Sequence, residues 1–267
     1  MHVSRTQPRG VARTLAGAIR SLRVATYNIH KGLSHFNRRL MVHELRERLR
    51  VMAADVIFLQ EVVGLHERHA TRYHNWPEAP QYEFLAESVW PEFAYGKNAV
   101  YDGGHHGNAI LSRFPIVRWE NENVSAHPMD QRGLLHAEVE VPGWDLRLHC
   151  VCVHLGLRAR WRRQQVDALA QRIHAMVPDA SPLIIAGDFN DWHGKAGNIL
   201  MDGLRLSEAF QLTMGRPARS YPALVPLLRL DRIYVRGLRV NDAQVHRGRP
   251  WSRISDHAAL SATMTLA

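Results

Sequence analysis

The sequence alternates short apolar runs with turns, and segments of helical periodicity follow only two of these runs. Residues 23–28 and 55–61 are rich in β-prone side chains and end in polar ones, which is typical of buried strands. Further strand-like runs occupy residues 108–116, 134–141, 145–155, 183–190, 230–235 and 258–265. The chain is therefore predicted to consist mainly of strands.

Two segments have the spacing of an amphipathic helix. The first carries apolar residues three or four positions apart, at Met41, Leu45, Leu49 and Met52. Asn37 precedes them as a predicted N-cap. The second segment covers residues 159–177 and ends before Pro178, which cannot continue a helix. A doubly wound parallel sheet needs a helix after nearly every strand, so two helices are too few for that fold.

The fold class that fits this order is α/β, in the α+β sense. We expect a four-layer sandwich, in which two mixed, mostly antiparallel sheets pack face to face with helices outside. No repeat, low-complexity tract or interior linker divides the chain. Residues 22–267 are predicted to form one domain, preceded by a basic, flexible segment over residues 1–21.

The charge balance favours an anionic partner without identifying it. The formal net charge is +9, and almost all of the positive charge is arginine. Nucleic acid, phospholipid and phosphorylated small molecules all fit such a surplus. No apolar run approaches the roughly 18 residues of a membrane span, which excludes an integral membrane segment.

The two cysteines indicate the redox state of the cellular compartment in which the protein works. Cys150 and Cys152 are the two cysteines, and in a strand they project from the same face, too constrained for a mutual disulfide. Residues 1–21 lack the apolar core of a secretory signal. We therefore predict a cytoplasmic protein.

Acids, amides and histidines stand where the apolar runs begin or stop. Asp188 and Asn190 are two positions apart, so that both side chains lie on one face of a strand. The other members are Asn28, Glu61, His154, Asp231, Asp256 and His257. Since the ends of several strands can meet at one rim of a sandwich, these side chains are predicted to form one site.

The residue types in this set favour phosphate chemistry. The carboxylates and amides are hard oxygen ligands, suited to Mg²⁺ or Mn²⁺, and such a metal usually serves phosphate oxygens. His257 can take a proton from water while Asp231 orients its ring, and His154 can donate to a phosphoryl group. Each residue alone is more often a turn former or a surface group. Together they predict hydrolysis of a phosphate ester by an activated water.

The order of these motifs resembles the endonuclease/exonuclease/phosphatase superfamily, whose members include deoxyribonuclease I. The resemblance is carried by residues 26–28, 59–62, 107–112, 153–154, 186–190, 230–233 and 255–257. Residues 29–32, 75–77, 104–108, 216–219 and 227–231 carry a narrower likeness to its YbhP-like bacterial branch.

The resemblance implies a role for each site residue. Glu61 is the expected principal metal ligand, with Asn28 and Asp256 as further ligands. Asp188 and Asn190 position the attacking water and the scissile phosphate, and Asp231 orients His257. His154 matches a phosphate-binding histidine of many members. The family leaves open whether one metal or two are bound, and whether the Asp or the His is the base.

Three more residues are candidates for binding phosphate or substrate: Asn108, Arg132 and His106. Four arginines crowd the start of the second helix, which favours a nearby anion over a solvated face: Arg158, Arg160, Arg162 and Arg163. Arg162 and Arg163 are therefore expected to contribute to substrate binding. Apolar loops at residues 76–95 and 221–228 raise the possibility of peripheral membrane contact, although packing into the core is favoured.

A phosphodiesterase acting on a phospholipid or small phosphodiester is the favoured function. The alternative is a DNA endonuclease or exonuclease. A non-catalytic binding module is least favoured, because the set of ligating and catalytic residue types is intact.

Overall fold

A computed structural model describes residues 19–267, which contain twelve strands and seven helices. The strands are β1 (Leu22–Asn28), β2 (Val56–His66), β3 (Glu92–Tyr101), β4 (Gly104–Ser112), β5 (Ile116–Asn123), β6 (Gly133–Val139), β7 (Leu148–His154), β8 (Leu183–Asp188), β9 (Ser207–Glu208), β10 (Asp231–Arg236), β11 (Leu238–His246) and β12 (Ala259–Leu266). The helices are α1 (Val42–Met52), α2 (Glu67–Arg72), α3 (Gln81–Ala86), α4 (Ala159–Met176), α5 (Lys195–Leu204), α6 (Ala209–Met214) and α7 (Trp251–Ile254).

The strands form two sheets of six, in the orders β11-β12-β1-β2-β4-β3 and β5-β6-β7-β8-β10-β9. Each sheet contains one parallel pair, β1 with β2 and β7 with β8, and the remaining pairs are antiparallel. The parallel pairs bring their carboxyl ends to one edge of each sheet. Two mixed, mostly antiparallel sheets confirm the predicted architecture.

Three apolar clusters separate the layers. The inner faces of both sheets meet in one of them, where Val24, Phe58, Cys150 and Ile184 are fully buried. A second cluster packs α1 and α3 on the first sheet, and a third packs α4 and α5 on the second sheet. Each fully buried Leu, Ile or Phe contributes about 2 kcal/mol. Helices therefore cover the outer faces, as expected for a four-layer sandwich.

Local differences from the predicted elements have physical causes. The first helix begins at Val42, and Asn37 belongs to a separate 3-10 turn, so its predicted capping role is wrong. Ser112 ends β4 because its hydroxyl donates to the Phe114 carbonyl and accepts from the Phe114 amide, which splits the run predicted over 108–116. The predicted runs miss the edge strands β3, β9 and β11 and reach only the first residue of the edge strand β5. In β11 only Leu238 and Ala243 are buried, so the apolar signal of that strand is weak.

The predicted flexible segment 1–21 lies mostly outside the described residues. Within the described part, the Ile19 amide donates to the Pro142 carbonyl at 2.9 Å, and the Trp144 indole donates to the Ile19 carbonyl at 3.1 Å. No helix among residues 19–267 has the length and apolar character to cross a membrane.

Candidate active site

Asn28, at the end of β1, links the two sheets. Its amide nitrogen Nδ2 donates to Asp188 Oδ2 at 3.1 Å, and its oxygen Oδ1 accepts from the His30 amide at 3.1 Å. The Ser255 hydroxyl donates to the Asn28 carbonyl at 2.7 Å. Asn28 is 2 % exposed. The edges that carry the parallel strand ends therefore meet, as the sequence predicted.

Asp188 reaches its position because β8 runs unusually close to β7. A Cβ atom on Gly187 would lie 1.9 Å from the Val153 carbonyl oxygen, and Gly187 has a φ of +148°, so only glycine fits. Asp188 then lies beside His154 in the parallel register. Its Oδ1 atom accepts from the Asn190 amide at 2.9 Å, which fixes the carboxylate plane.

Three charged or ionisable side chains surround the second oxygen of Asp188. His257 Nε2 lies 3.8 Å from Asp188 Oδ2, and His154 Nε2 lies 3.7 Å from it. Asp231 stands opposite Asp188 in the antiparallel pair of β10 and β8, and its Oδ2 is 2.9 Å from His257 Nδ1. The acid–histidine pair predicted from sequence is therefore present, and it faces a second acid.

Burial and mutual charge separate the pKa values of these groups. Burial raises the pKa of Asp188 to about 6. Burial opposes the charged form of His257, but Asp231 and Asp188 outweigh it and raise that pKa to about 10. Burial and the charge of Arg132 hold the pKa of His154 well below its usual range. At neutral pH, His257 is a cation, His154 is neutral and Asp188 is poised to exchange a proton.

Glu61 lies at a kink in β2, where its φ is +57°. Burial opposes ionisation of Glu61, but His154 and Lys31 lower its pKa to about 2. Lys31 Nζ is 3.6 Å from Glu61 Oε2. Glu61 is thus a fixed anion at the site rim.

His30 and Lys31 are site residues to which the sequence analysis gave no role. His30 Nδ1 lies 3.4 Å from Asp256 Oδ1, and Lys31 pairs with Glu61. Both have positive φ, at 45° and 59°. Their position directly after Asn28 was the available signal, because a strand that ends in the site delivers the next residues there.

The donor set fits a hard divalent cation. Asp188 and Asp231 each offer a carboxylate oxygen, and these atoms lie within 4.8 Å of each other and of a ring nitrogen of His257, which is protonated and therefore does not bind a metal itself. Asp231 Oδ1 is buried without a hydrogen-bond partner among the described residues, and Glu61 is ionised. Oxygen donors of this kind suit Mg²⁺ or Mn²⁺. Of the predicted ligands, Asn28 donates to Asp188, Asp256 interacts electrostatically with His257, and Glu61 interacts electrostatically with His154.

The three candidate substrate residues, Asn108, Arg132 and His106, line one small cavity together with His154. Arg132 Nε is 3.3 Å from Asp130 Oδ1. Burial and Lys31 lower the pKa of His106 to about 4.

The side chains of Asn108 and Asn190 form hydrogen bonds to backbone carbonyls near the site. Asn108 Nδ2 donates to the Gly133 and Cys152 carbonyls at 3.0 and 3.3 Å, while its Oδ1 has no partner among the described residues. Asn190 Nδ2 donates to the Leu155 carbonyl at 2.9 Å. Asn108 therefore ties the first sheet to the second, and Asn190 fixes the loop after β7.

Arg162 holds the same loop and does not face an anion site. It is 5 % exposed, and its Nη1 donates to the Gly156 and Leu157 carbonyls at 3.0 and 2.9 Å. The expectation that Arg162 contacts substrate is wrong, because its guanidinium is already used inside the fold. Arg163 is exposed.

Arg162→Gln is expected to lower the free energy of unfolding by about 3 kcal/mol, because the buried Gly156 carbonyl and the half-buried Leu157 carbonyl lose their donor and Asp191, 3.8 Å away, loses its cation. Urea unfolding measures the change. The neighbouring Arg163→Gln variant is the matched control and should stay within about 0.5 kcal/mol of the wild type. Equal effects of the two substitutions would contradict this structural role.

The two apolar loops differ in the fold. In the first, Trp90 is buried and Tyr95 packs against the core, as expected, whereas Phe93 is 38 % exposed. In the second, Leu224, Val225 and Leu227 are 78 %, 61 % and 60 % exposed. The expectation that both loops pack into the core is therefore wrong for the second loop.

Comparison with known proteins shows the family of the chain. A model of the Endonuclease/Exonuclease/phosphatase family matches residues 25–257. The uncharacterized protein YbhP of Escherichia coli K12 is 47 % identical over 246 residues, which cover 92 % of this chain and 97 % of YbhP.

Solved structures share the fold at low sequence identity. An endonuclease/exonuclease/phosphatase from Beutenbergia cavernae superposes with a TM-score of 0.73 at 19 % identity, covering 93 % of this chain and 72 % of that one. D. rerio TDP2, complexed with single strand DNA product, gives a TM-score of 0.66 at 19 % identity, covering 92 % of this chain and 99 % of that one. The chain belongs to the endonuclease/exonuclease/phosphatase family of phosphoester hydrolases, next to YbhP.

Proposed function

We propose that this chain is a divalent-metal-dependent phosphodiesterase that acts on a phospholipid or another small phosphodiester. The observation that carries the proposal is the convergence of His257, His154 and Asn28 on one oxygen of Asp188, with Asp231 behind His257. A buried acid with a pKa near neutrality, beside a cationic histidine, suits proton transfer to and from water and phosphate.

In this proposal Asp188 accepts the proton of the attacking water. Its pKa of about 6 leaves it ionised at neutral pH and still basic enough to take a proton. His257 is protonated and held by Asp231, so it donates to a phosphoryl oxygen as negative charge develops. This arrangement favours Asp188 over His257 as the base.

Glu61, Asn28 and Asp256 would hold Mg²⁺ or Mn²⁺, and Asp231 presents a free oxygen towards the same group. When bound, the ion supplies positive charge that stabilises the phosphoryl oxygens. Asn190 fixes the plane of Asp188 through its amide, and neutral His154 donates a hydrogen bond to phosphate.

The fixed charges favour a diester over a monoester. Arg132 is paired with Asp130, and Lys31 is paired with Glu61, so few permanent cations remain for a doubly charged phosphate. A diester carries a single negative charge and fits this balance. The exposed apolar loop beside His257, through the Tyr221 ring 5.0 Å away, favours a lipid or small diester over DNA.

We also propose that the protein operates in the cytoplasm. Cys150 and Cys152 are both free and buried, which is compatible with a reducing compartment.

The substrate class is tested by a panel with Mg²⁺ or Mn²⁺: bis-(p-nitrophenyl) phosphate, phosphatidylcholine vesicles and plasmid DNA. The proposal predicts release of p-nitrophenolate and of lipid headgroup at rates far above those for DNA. Cleavage of DNA alone would replace the proposal with the nuclease alternative, and no hydrolysis of any substrate would leave a binding module.

The pH dependence follows from the two perturbed groups. Asp188 must be ionised and His257 protonated, so kcat/KM should rise through about pH 6, stay level, and fall towards about pH 10. The charge of His257 lowers the pKa of Asp188, so His257→Asn should move the acid limb to higher pH. A pH profile of bis-(p-nitrophenyl) phosphate hydrolysis measures both, and an unmoved acid limb would contradict the assignment.

A further inference from the structure

A second pocket, separate from the active site, lies between the loop after α6 and the end of β11. It has a volume of about 210 Å³. Four arginines line this pocket, which we call the arginine pocket: Arg216, Arg219, Arg229 and Arg247. None of the four forms an ion pair with an acid within residues 19–267.

The arginine pocket lacks a compensating negative charge, and a hydrogen bond to the backbone fixes one of its arginines. Arg229 Nε donates to the Pro217 carbonyl at 3.1 Å, which fixes its guanidinium in the pocket wall. Burial lowers the pKa of Arg229, and the positive charges of Arg219 and Arg216 lower it further. A group of arginines that repel one another is stabilised when an anion binds among them.

Exposed aliphatic side chains adjoin the arginine pocket. Leu224, Val225 and Leu227 form what we call the apolar tip, and all three are more than half exposed. Pro226, within the same tip, lines the pocket, so the charged and apolar surfaces are continuous. Burial of these side chains would lower the free energy because it removes apolar surface from water. Their exposure therefore favours binding of a partner that covers them.

The loop that carries the apolar tip is anchored on the active site. The backbone amide of Leu228 donates to the Tyr221 carbonyl at 2.7 Å and closes the base of the loop. The Ala223 amide donates to the Asp256 carbonyl at 2.7 Å, and the Tyr221 ring lies 5.0 Å from the His257 ring. A surface that docks through this loop therefore lies beside the catalytic groups.

We propose that the arginine pocket and the apolar tip together dock on a membrane that contains anionic phospholipids. Aliphatic side chains enter the boundary of the acyl region, while guanidinium groups stay at the level of the phosphates. Nucleic acid would supply phosphates for the arginines but nothing apolar for Leu224 and Val225, and the tip offers no aromatic ring for base stacking. Docking of this kind goes beyond the proposed hydrolysis and does not depend on it.

The test is co-sedimentation of the full chain with vesicles of phosphatidylcholine alone, or of phosphatidylcholine mixed with phosphatidylserine. Binding to the mixed vesicles and little binding to phosphatidylcholine alone is expected. The double variant Arg216→Gln with Arg219→Gln should bind about 25-fold more weakly, since each arginine contributes about fivefold near an anionic surface. Leu224→Ser with Val225→Ser should weaken binding by at least about tenfold.

Matched controls separate this site from total charge and total apolar surface. Arg68→Gln with Arg239→Gln removes two exposed arginines elsewhere, and Val51→Ser removes an exposed aliphatic side chain from α1. Both should bind like the wild type, and circular dichroism confirms that each variant is folded. Absence of wild-type binding would overturn the proposal, as would equal losses in test and control variants. If Leu224→Ser with Val225→Ser bound the mixed vesicles as tightly as the wild type, and the wild type bound DNA as tightly as the vesicles, the lipid assignment would be overturned.

Discussion

Replacing Asp188 by Asn is expected to lower kcat on bis-(p-nitrophenyl) phosphate by about a thousandfold, because the group that accepts the proton of water is lost. Asn keeps the shape of the side chain, and its oxygen can still accept from the Asn190 amide, while the hydrogen bond from Asn28 Nδ2 is lost. Because the substitution also removes a buried acid whose ionised form is costly, the protein should still fold.

The control for this substitution is Asp179→Asn, which removes a carboxylate that is 94 % exposed and lies beside Arg236, at the opposite end of β10 from Asp231. Its kcat should equal that of the wild type. Steady-state kinetics and thermal unfolding of both variants provide the measurement. An Asp188→Asn enzyme with more than about a tenth of the wild-type kcat would show that Asp188 is not the base.

Glu61→Gln is expected to lower activity by on the order of a hundredfold at a fixed metal concentration, with part of the loss recovered at high Mn²⁺. Glu61 is held ionised with a pKa of about 2, and a neutral amide in its place leaves Lys31 without its anion. The loss should therefore appear first in the metal concentration needed for half-maximal activity.

Activity against Mg²⁺ and Mn²⁺ concentration, together with calorimetric titration of the metal, measures this effect. Glu78→Gln is the matched control because Glu78 is exposed and lies outside the site. An unchanged metal requirement in Glu61→Gln would remove Glu61 from the set of metal ligands and leave the buried carboxylates of Asp188 and Asp231 as the metal site.

Strand ends were predictable from the sequence because buried strands here are strongly apolar and stop at polar residues. That pattern located Asn28, His154 and Asp188, and the fold brings them together as expected. Edge elements were not predictable in the same way. In the edge strand β11 only Leu238 and Ala243 are buried, so its register depends on pairing with β12 and leaves little signal in its own residues.

Within the site, the types of side chain were predictable from the sequence, whereas their protonation states were not. Asp188 and Asp231 are both aspartates at neighbouring strand ends, yet only their placement around His257 separates their roles. Arg162 shows the same limit, because the sequence shows a basic helix start but not that the side chain turns inward to the Gly156 carbonyl. The two apolar loops likewise look alike until packing buries Trp90 and leaves Leu224 in solvent.

The central claim is that the groups around Asp188 hydrolyse a phosphodiester with the help of a divalent metal. The most direct measurement is the rate of p-nitrophenolate release from bis-(p-nitrophenyl) phosphate by the purified full chain, after EDTA treatment and after Mg²⁺ or Mn²⁺ is restored. The account predicts no activity in EDTA, recovery with either metal in the wild type, and no recovery in Asp188→Asn. Activity that persists in EDTA, or that returns equally in Asp188→Asn, would contradict it.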